Sequence, residues 1–247
     1  MSSGRRIETT SLSLHVIAMA SMLCDHLWAT VVPGNDWLTC VGRLAFPIFA
    51  FLIVEGYVHT GSLRCYAGRL LLCAILSEIP FDLVMGGTVF YPFHQNVLWT
   101  FLIALFLIWL NERARSAGRR WLSVLAGIGT VALGWVLGLL SMADYQHAGV
   151  LMVLAFYFFR GRKWWCFAGQ ALSLAWINLS LLGGYCYSLS LAGHTLLVPR
   201  QGWALLALLP IWLYRGRQGP HGRGLRLLFY AFYPVHLLVL ALIVRMM

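Results

Sequence analysis

Long apolar stretches separated by short polar breaks run through almost the whole chain. They fall at Leu14–Val32, Leu38–Val58, Tyr66–Met85, Val97–Leu110, Trp121–Leu140, Ala148–Phe159, Trp165–Leu182, Gly202–Tyr214 and Leu225–Val244. Apolar runs near this length read as transmembrane helices. The sixth and eighth are short for a full crossing, which leaves re-entrant segments open there. Continuous hydrophobic runs lack the period-two alternation of a membrane barrel, so strands are not expected. The expected fold is all-α, a polytopic membrane helical bundle of about nine helices, with residues 1–247 forming one transmembrane domain.

Charge placement changes this from a list of helices into a topology. Arg5 and Arg6 precede the first run; Arg64 and Arg69 lie around the second break, and Arg113, Arg115, Arg119 and Arg120 around the fourth. Arg160, Arg162 and Lys163 follow the sixth run, and Arg215, Arg217, Arg223 and Arg226 the eighth. With nine alternating crossings these residues, most of the 18 lysines and arginines, share one side. The intervening breaks contain only Arg200. The positive-inside rule then makes the amino terminus cytoplasmic and the carboxy terminus, with Arg245, external. The first run follows Arg5 and Arg6 as a signal peptide would, but Asp25 and His26 interrupt it, so it reads as a retained helix. Gly183–Arg200 is the longest outer connection and the expected lid.

Composition excludes the alternatives. Of 247 residues, 60% are hydrophobic and 11% charged, against roughly 25% charged in soluble domains. A soluble enzyme, a disordered regulator and a disulfide scaffold are ruled out. The net charge of +10 reflects topology rather than nucleic-acid binding. The six cysteines show no CxxC pair.

The candidate chemistry lies in ionisable groups that lipid would reject, since a central charge costs roughly 2.5–3.5 kcal/mol on insertion scales. At about 1.5 Å per residue, Asp25 and His26 lie roughly 16–18 Å above the cytoplasmic edge, Arg43 about 22 Å, and His236 near 14 Å. Glu78 and Asp82 fall near 17 and 23 Å by the same count. Gln95, Asn96, Asp144, Tyr145 and His147 would cap them from the outer breaks. The expectation is a buried polar pocket, open outward. Histidine suits a general base near neutral pH. A carboxylate beside an arginine keeps both charged in low dielectric and leaves the arginine able to steady an oxyanion. Adjacent helical residues point about 100° apart, so Asp25 would hold Arg43 while His26 faces the substrate. Structural readings stand beside these: an Asp–Arg pair as glue between helices, His236 bonding a carbonyl freed by Pro234, Glu78 and Asp82 bonding helix ends. The i,i+4 pair Glu55 and His59 is too weak a signal to assign a metal.

Several blocks resemble one family. Met22-Leu23-Cys24-Asp25-His26 is similar to the Asp-His signature of the TraX family of membrane acetyltransferases. Gly42-Arg43-Leu44-Ala45-Phe46-Pro47-Ile48-Phe49-Ala50-Phe51, followed by Leu52-Ile53-Val54-Glu55-Gly56, resembles its most recognisable block. Ser77-Glu78-Ile79-Pro80-Phe81-Asp82-Leu83, Gln95-Asn96-Val97, Ala143-Asp144-Tyr145 and Phe232-Tyr233-Pro234-Val235-His236 are similar too. One departure is Cys24 before Asp25, where an aliphatic residue is expected.

The resemblance implies a multi-pass protein of the bacterial inner membrane. TraX proteins acetylate the amino terminus of conjugative pilin and are related to transmembrane acyltransferases that move acetyl groups from cytoplasmic acetyl-CoA to acceptors across the bilayer. An intramembrane histidine is the expected catalytic residue of that class, and His26 matches it. The expected reaction is acetyl transfer to an amine or hydroxyl, on a pilin or another membrane or periplasmic acceptor. His26 would act as base, or take the acetyl itself, with Asp25 and Arg43 beside it. Glu78, Asp82, Gln95, Asn96, Asp144, Tyr145 and His236 would shape the acceptor side. Arg64, Arg69, Arg113 and Arg115 would hold the phosphates of acetyl-CoA. The alternative is a proton-coupled permease built on the same ionisable cluster, although no internal repeat supports it.

Overall fold

A computed structural model describes residues 8–116, 118–191, 194–220 and 222–247. Arg5 and Arg6 lie outside the described residues. The helices, in order, are α1 Ser11–Thr30, α2 Asp36–Gly42, α3 Ala45–His59, α4 Leu63–Met85, α5 Val97–Arg115, α6 Arg120–Leu140, α7 Gln146–Phe158 and α8 Trp164–Trp176. A π-helical turn, Ile177–Leu181, extends α8. Strands β1, Cys186–Leu191, and β2, His194–Pro199, follow. A 3-10 helix Arg200–Ala207 then leads into α9 Leu208–Leu213, and α10 Arg223–Met246 ends the chain. Helix lies within each of the nine expected stretches.

Among the described residues, five segments are long and apolar enough to cross a membrane: Ser11–Thr30, Asp36–His59, Val97–Arg115, Arg120–Leu140 and Gly224–Met246. This is a helical membrane protein. The 23-residue α4 carries Arg64, Arg69, Glu78 and Asp82 and falls outside that set. Every residue of α7 from Ala148 to Phe156 is buried. A helix apolar all round and enclosed by other helices need not match a bilayer's thickness, which accounts for the short sixth stretch. The eighth is short because it is a 3-10 helix joined to one and a half turns of α-helix.

The chain's polar breaks fix the helix starts. Thr10 Oγ1 accepts the Ser13 N–H at 3.1 Å, Ser62 Oγ that of Cys65 at 3.4 Å, and Asn96 Oδ1 that of Leu98 at 3.1 Å. Pro47 lacks the N–H that would reach the Arg43 carbonyl four residues back, and the helix is interrupted there, between Gly42 and Ala45. Pro234 likewise frees the Tyr230 carbonyl, and the Cys73 thiol takes it at 3.2 Å, joining α4 to α10. Small residues bring α6 and α7 together: a methyl group on Gly138 would overlap the His147 backbone.

The breaks gather at two ends. At one, Glu8 pairs with Arg215 and Arg217, Glu55 with Arg160, and Arg162 donates to the Tyr214 carbonyl. At the other, Arg200 lies over Trp28 at 4.5 Å and Tyr185 at 5.3 Å, and 4.0 Å from Asp36. The expectation of no strands is corrected here. Cys186–Leu191 and His194–Pro199 form an antiparallel hairpin, Leu191 opposite His194. Its pairing lies outside the apolar runs, where Ser188-Leu189-Ser190-Leu191 does alternate polar and apolar. All six cysteines are free, and Cys40 meets the Tyr187 hydroxyl at 3.5 Å.

Candidate functional site

The break before α3 sets Arg43 facing α1. Its guanidinium pairs with both carboxylate oxygens of Asp25, and Thr39 Oγ1 donates to Asp25 Oδ1 at 2.8 Å. Gly42 makes this approach possible, since any side chain there would overlap Asp25. Arg43 Nη1 also donates to Gln201 Oε1 at 3.1 Å; Gln201 Nε2 donates to Asn178 Oδ1 at 3.3 Å, and Asn178 to the Leu174 carbonyl at 2.8 Å. Asn178 sits in the π turn, where the extra residue per turn re-aims a side chain inward. Arg43 Nε is buried with no partner. One donor of the fork is thus held ready in a fixed frame.

One turn of α1 carries Asp25 and His26 to different neighbours. The His26 ring meets His236 of α10, Nδ1 to Nε2, at 2.7 Å, with ring planes within 4°. His236 Nδ1 donates to the Phe232 carbonyl at 2.7 Å. Asp144 completes the group: it lies close enough to act electrostatically on both His26 and Arg43, and Tyr145 on Arg43. Tyr145 adopts a left-handed backbone, φ 62°, costing about 1–3 kcal/mol for such a residue. Stacking on Phe46 at 3.9 Å and the absence of a side chain at Gly149 beneath hold it there. Asp25, His26, Arg43, Asp144, Tyr145 and His236 therefore share one neighbourhood.

The other expected acceptor residues do not join it. Glu78 accepts from the Asn96 side chain, its backbone N–H at 3.3 Å and Trp99 Nε1 at 2.8 Å. Asp82 accepts the Tyr91 N–H at 2.8 Å. Gln95 pairs its backbone with Met142 and Asp144. These groups bind helix ends and loops. Counting residues along a helix gives height but not the direction a side chain faces, and the helix-end reading accounts for Glu78 and Asp82.

A cavity of about 740 Å³ lies at the end where Glu8 meets Arg215 and Arg217, beside Thr60, Gly61, Ser62, Gly216, Gln218 and Gly222. It rises along α1 from Ser11 to Met22, eleven residues or about 17 Å. Phe232, Tyr233 and Met22 line its upper part. His26 and His236 stand one turn beyond, with His236 against Phe232 at 4.7 Å. Arg69 and Arg226 line the cavity, together with His15 and Gln218. Arg64, Arg113 and Arg115 do not: Arg64 is exposed, Arg113 lies over Trp109, and both Arg113 and Arg115 fall in the last turn of α5. Glu55 is engaged by Arg160 at 2.9 Å and His59 at 3.7 Å.

Sequence reasoning passed over Thr39, Gln201 and Asn178, and read Arg226 for topology alone. Asn178 inside the run Trp165–Leu182 was the available signal, a buried amide in an apolar stretch. Comparison with known proteins adds lineage to this geometry. The family described as TraX protein matches residues 11–244. A protein named probable fimbrial assembly protein FimC, serogroup H1, from Dichelobacter nodosus is 27% identical over 263 residues, covering 96% of each chain. No solved structure matches.

Proposed function

The chain belongs to the TraX family, and on that premise we propose that it is an acetyltransferase of the bacterial inner membrane, taking acetyl groups from cytoplasmic acetyl-CoA to an amine or hydroxyl on the outer side. In this reading the nine helical stretches all cross or enter the bilayer, the amino terminus is cytoplasmic, and the fimbrial relative's name makes a pilin a natural acceptor. The observation that carries the reading is the cavity that rises from the arginine-rich end toward the His26 pair and Arg43.

Arg69 and Arg226 at the cavity would receive the phosphates of CoA, and the apolar shaft would take the pantetheine arm. The acceptor nitrogen or oxygen attacks the thioester carbonyl as its proton passes to His26. Negative charge builds on the carbonyl oxygen, and Arg43 Nε, a buried donor otherwise unused, steadies it. The carbon–sulfur bond then breaks, the proton on His26 goes to the sulfur, and free CoA thiol leaves beside the acetylated acceptor.

The test uses purified full-length protein in lipid nanodiscs with acetyl-CoA and a short peptide bearing a free amino terminus. Acetyl-CoA should raise the unfolding temperature, by about 2.7 kcal/mol of stabilisation at a hundredfold excess over Kd. His26→Ala should lose about 10²–10⁴-fold in CoA release while remaining folded. Wild-type turnover by folded His26→Ala would remove the base. Indifference to acetyl-CoA would overturn the reading in favour of a permease.

A further inference from the structure

We propose that His236 is a positioning residue that fixes the tautomer of His26, leaving Nε2 as its unprotonated nitrogen. The inference rests on the reading of His26 as base and says which of its atoms does the work.

The argument starts from a carbonyl. The Phe232 oxygen can only accept, so His236 Nδ1, 2.7 Å away, carries the hydrogen. A neutral imidazole has one N–H, so His236 Nε2 presents a lone pair. His26 Nδ1 lies 2.7 Å from that lone pair and must donate to it. The single proton of neutral His26 is therefore on Nδ1, and Nε2 is bare. Free histidine in water favours the opposite tautomer, so the pair imposes a state the side chain would not choose. The partner hydrogen bond of one ring nitrogen decides which form the other takes.

The His236 ring is well placed for this. It is buried, stacked within 14° of the Phe232 ring and packed against Tyr233. Asp25 does not fill this role for His26: it accepts from Arg43 and Thr39, while the His26 Nδ1 contact is to His236. The charged groups acting on His26 are Asp25, Asp144 and Arg43. When His26 Nε2 takes the acceptor's proton, the Nδ1–H to His236 Nε2 bond persists, and the imidazolium needs no rearrangement before it protonates the leaving thiolate.

The experiment is nitrogen NMR of ¹⁵N-histidine-labelled full-length protein in nanodiscs at neutral pH, His26 being assigned from the spectrum of His26→Gln. The expected result is His26 protonated on Nδ1 in the wild type and on Nε2 in His236→Leu. Kinetically, with the same peptide acceptor, His236→Leu should lower kcat about 10²-fold while KM for acetyl-CoA stays within about twofold. His236→Gln, whose Oε1 can accept from Nδ1, should recover to within about tenfold of wild type. A wild-type His26 protonated on Nε2, a Gln variant as impaired as Leu, or a fully active Leu variant overturns the proposal. If His236→Leu fails to fold, the wild-type spectrum decides. A protein that shows the Nδ1–H form but transfers no acetyl group sinks the enzymatic reading and leaves the tautomer standing.

Discussion

Gly42 carries more of the site than its size suggests, because the Asp25–Arg43 pair closes only where α1 and α2 meet without a side chain between them. Gly42→Ala drives its methyl into the Asp25 carboxylate, so the pair must open or the helices part. Such overpacking typically costs about 1–3 kcal/mol. The variant should show a lowered chemical-unfolding midpoint and reduced acetyl transfer, and an unchanged midpoint would mean that the helices adjust freely. At this scale the sequence was readable where a residue's presence in an apolar run is expensive. Asp25, His26 and Arg43 announce themselves that way, and the structure brings them together. Glu78 and Asp82 are equally anomalous in composition but face Asn96, Trp99 and Tyr91 instead. Gln201 was invisible because a neutral amide at the edge of an apolar run raises no alarm.

Among elements, the legible features were those that hydrophobic length controls, and the unread ones depend on backbone irregularity. The break at Pro47 and the π turn that turns Asn178 inward both sit inside uninterrupted apolar stretches. The two loops 86–96 and 141–145 offer a test at this level. They are joined by Gln95 N–H to the Met142 carbonyl at 2.9 Å and Asp144 N–H to the Gln95 carbonyl at 2.8 Å. His94 faces the Asp144 carboxylate at 3.6 Å. That carboxylate holds the His94 pKa above its ordinary value, outweighing the opposite effect of partial burial. A group that binds its proton more tightly when folded stabilises the fold fully below its unfolded pKa, near 6.5, and loses that contribution as pH rises through the raised value. The wild-type unfolding temperature should therefore fall more between about pH 6 and about pH 8 than that of His94→Gln. Parallel curves for the two proteins would dismiss the coupling.

For the whole molecule, Arg69, Arg160, Arg162, Arg215, Arg217 and Arg226, read from the sequence as part of one face, collect at the end of the bundle where the cavity opens, while the hairpin lies at the other. Cys65, exposed and lining the cavity, and Cys186, exposed on β1, mark these two ends. In sealed spheroplasts a membrane-impermeant maleimide should label Cys186 directly and Cys65 only after permeabilisation, with acetyl-CoA slowing the second reaction. Labelling of both from one side would break the proposed topology. The upper end of the cavity has a further consequence. Met22, Phe232 and Tyr233 line it one helical turn short of His26 and His236. A single charge leaking down a 100 mV potential dissipates about 2.3 kcal/mol. On the proposed reading, a thioester reaching the histidines would plug the shaft it came through, so that chemistry between two compartments would not leave an open conduit for protons.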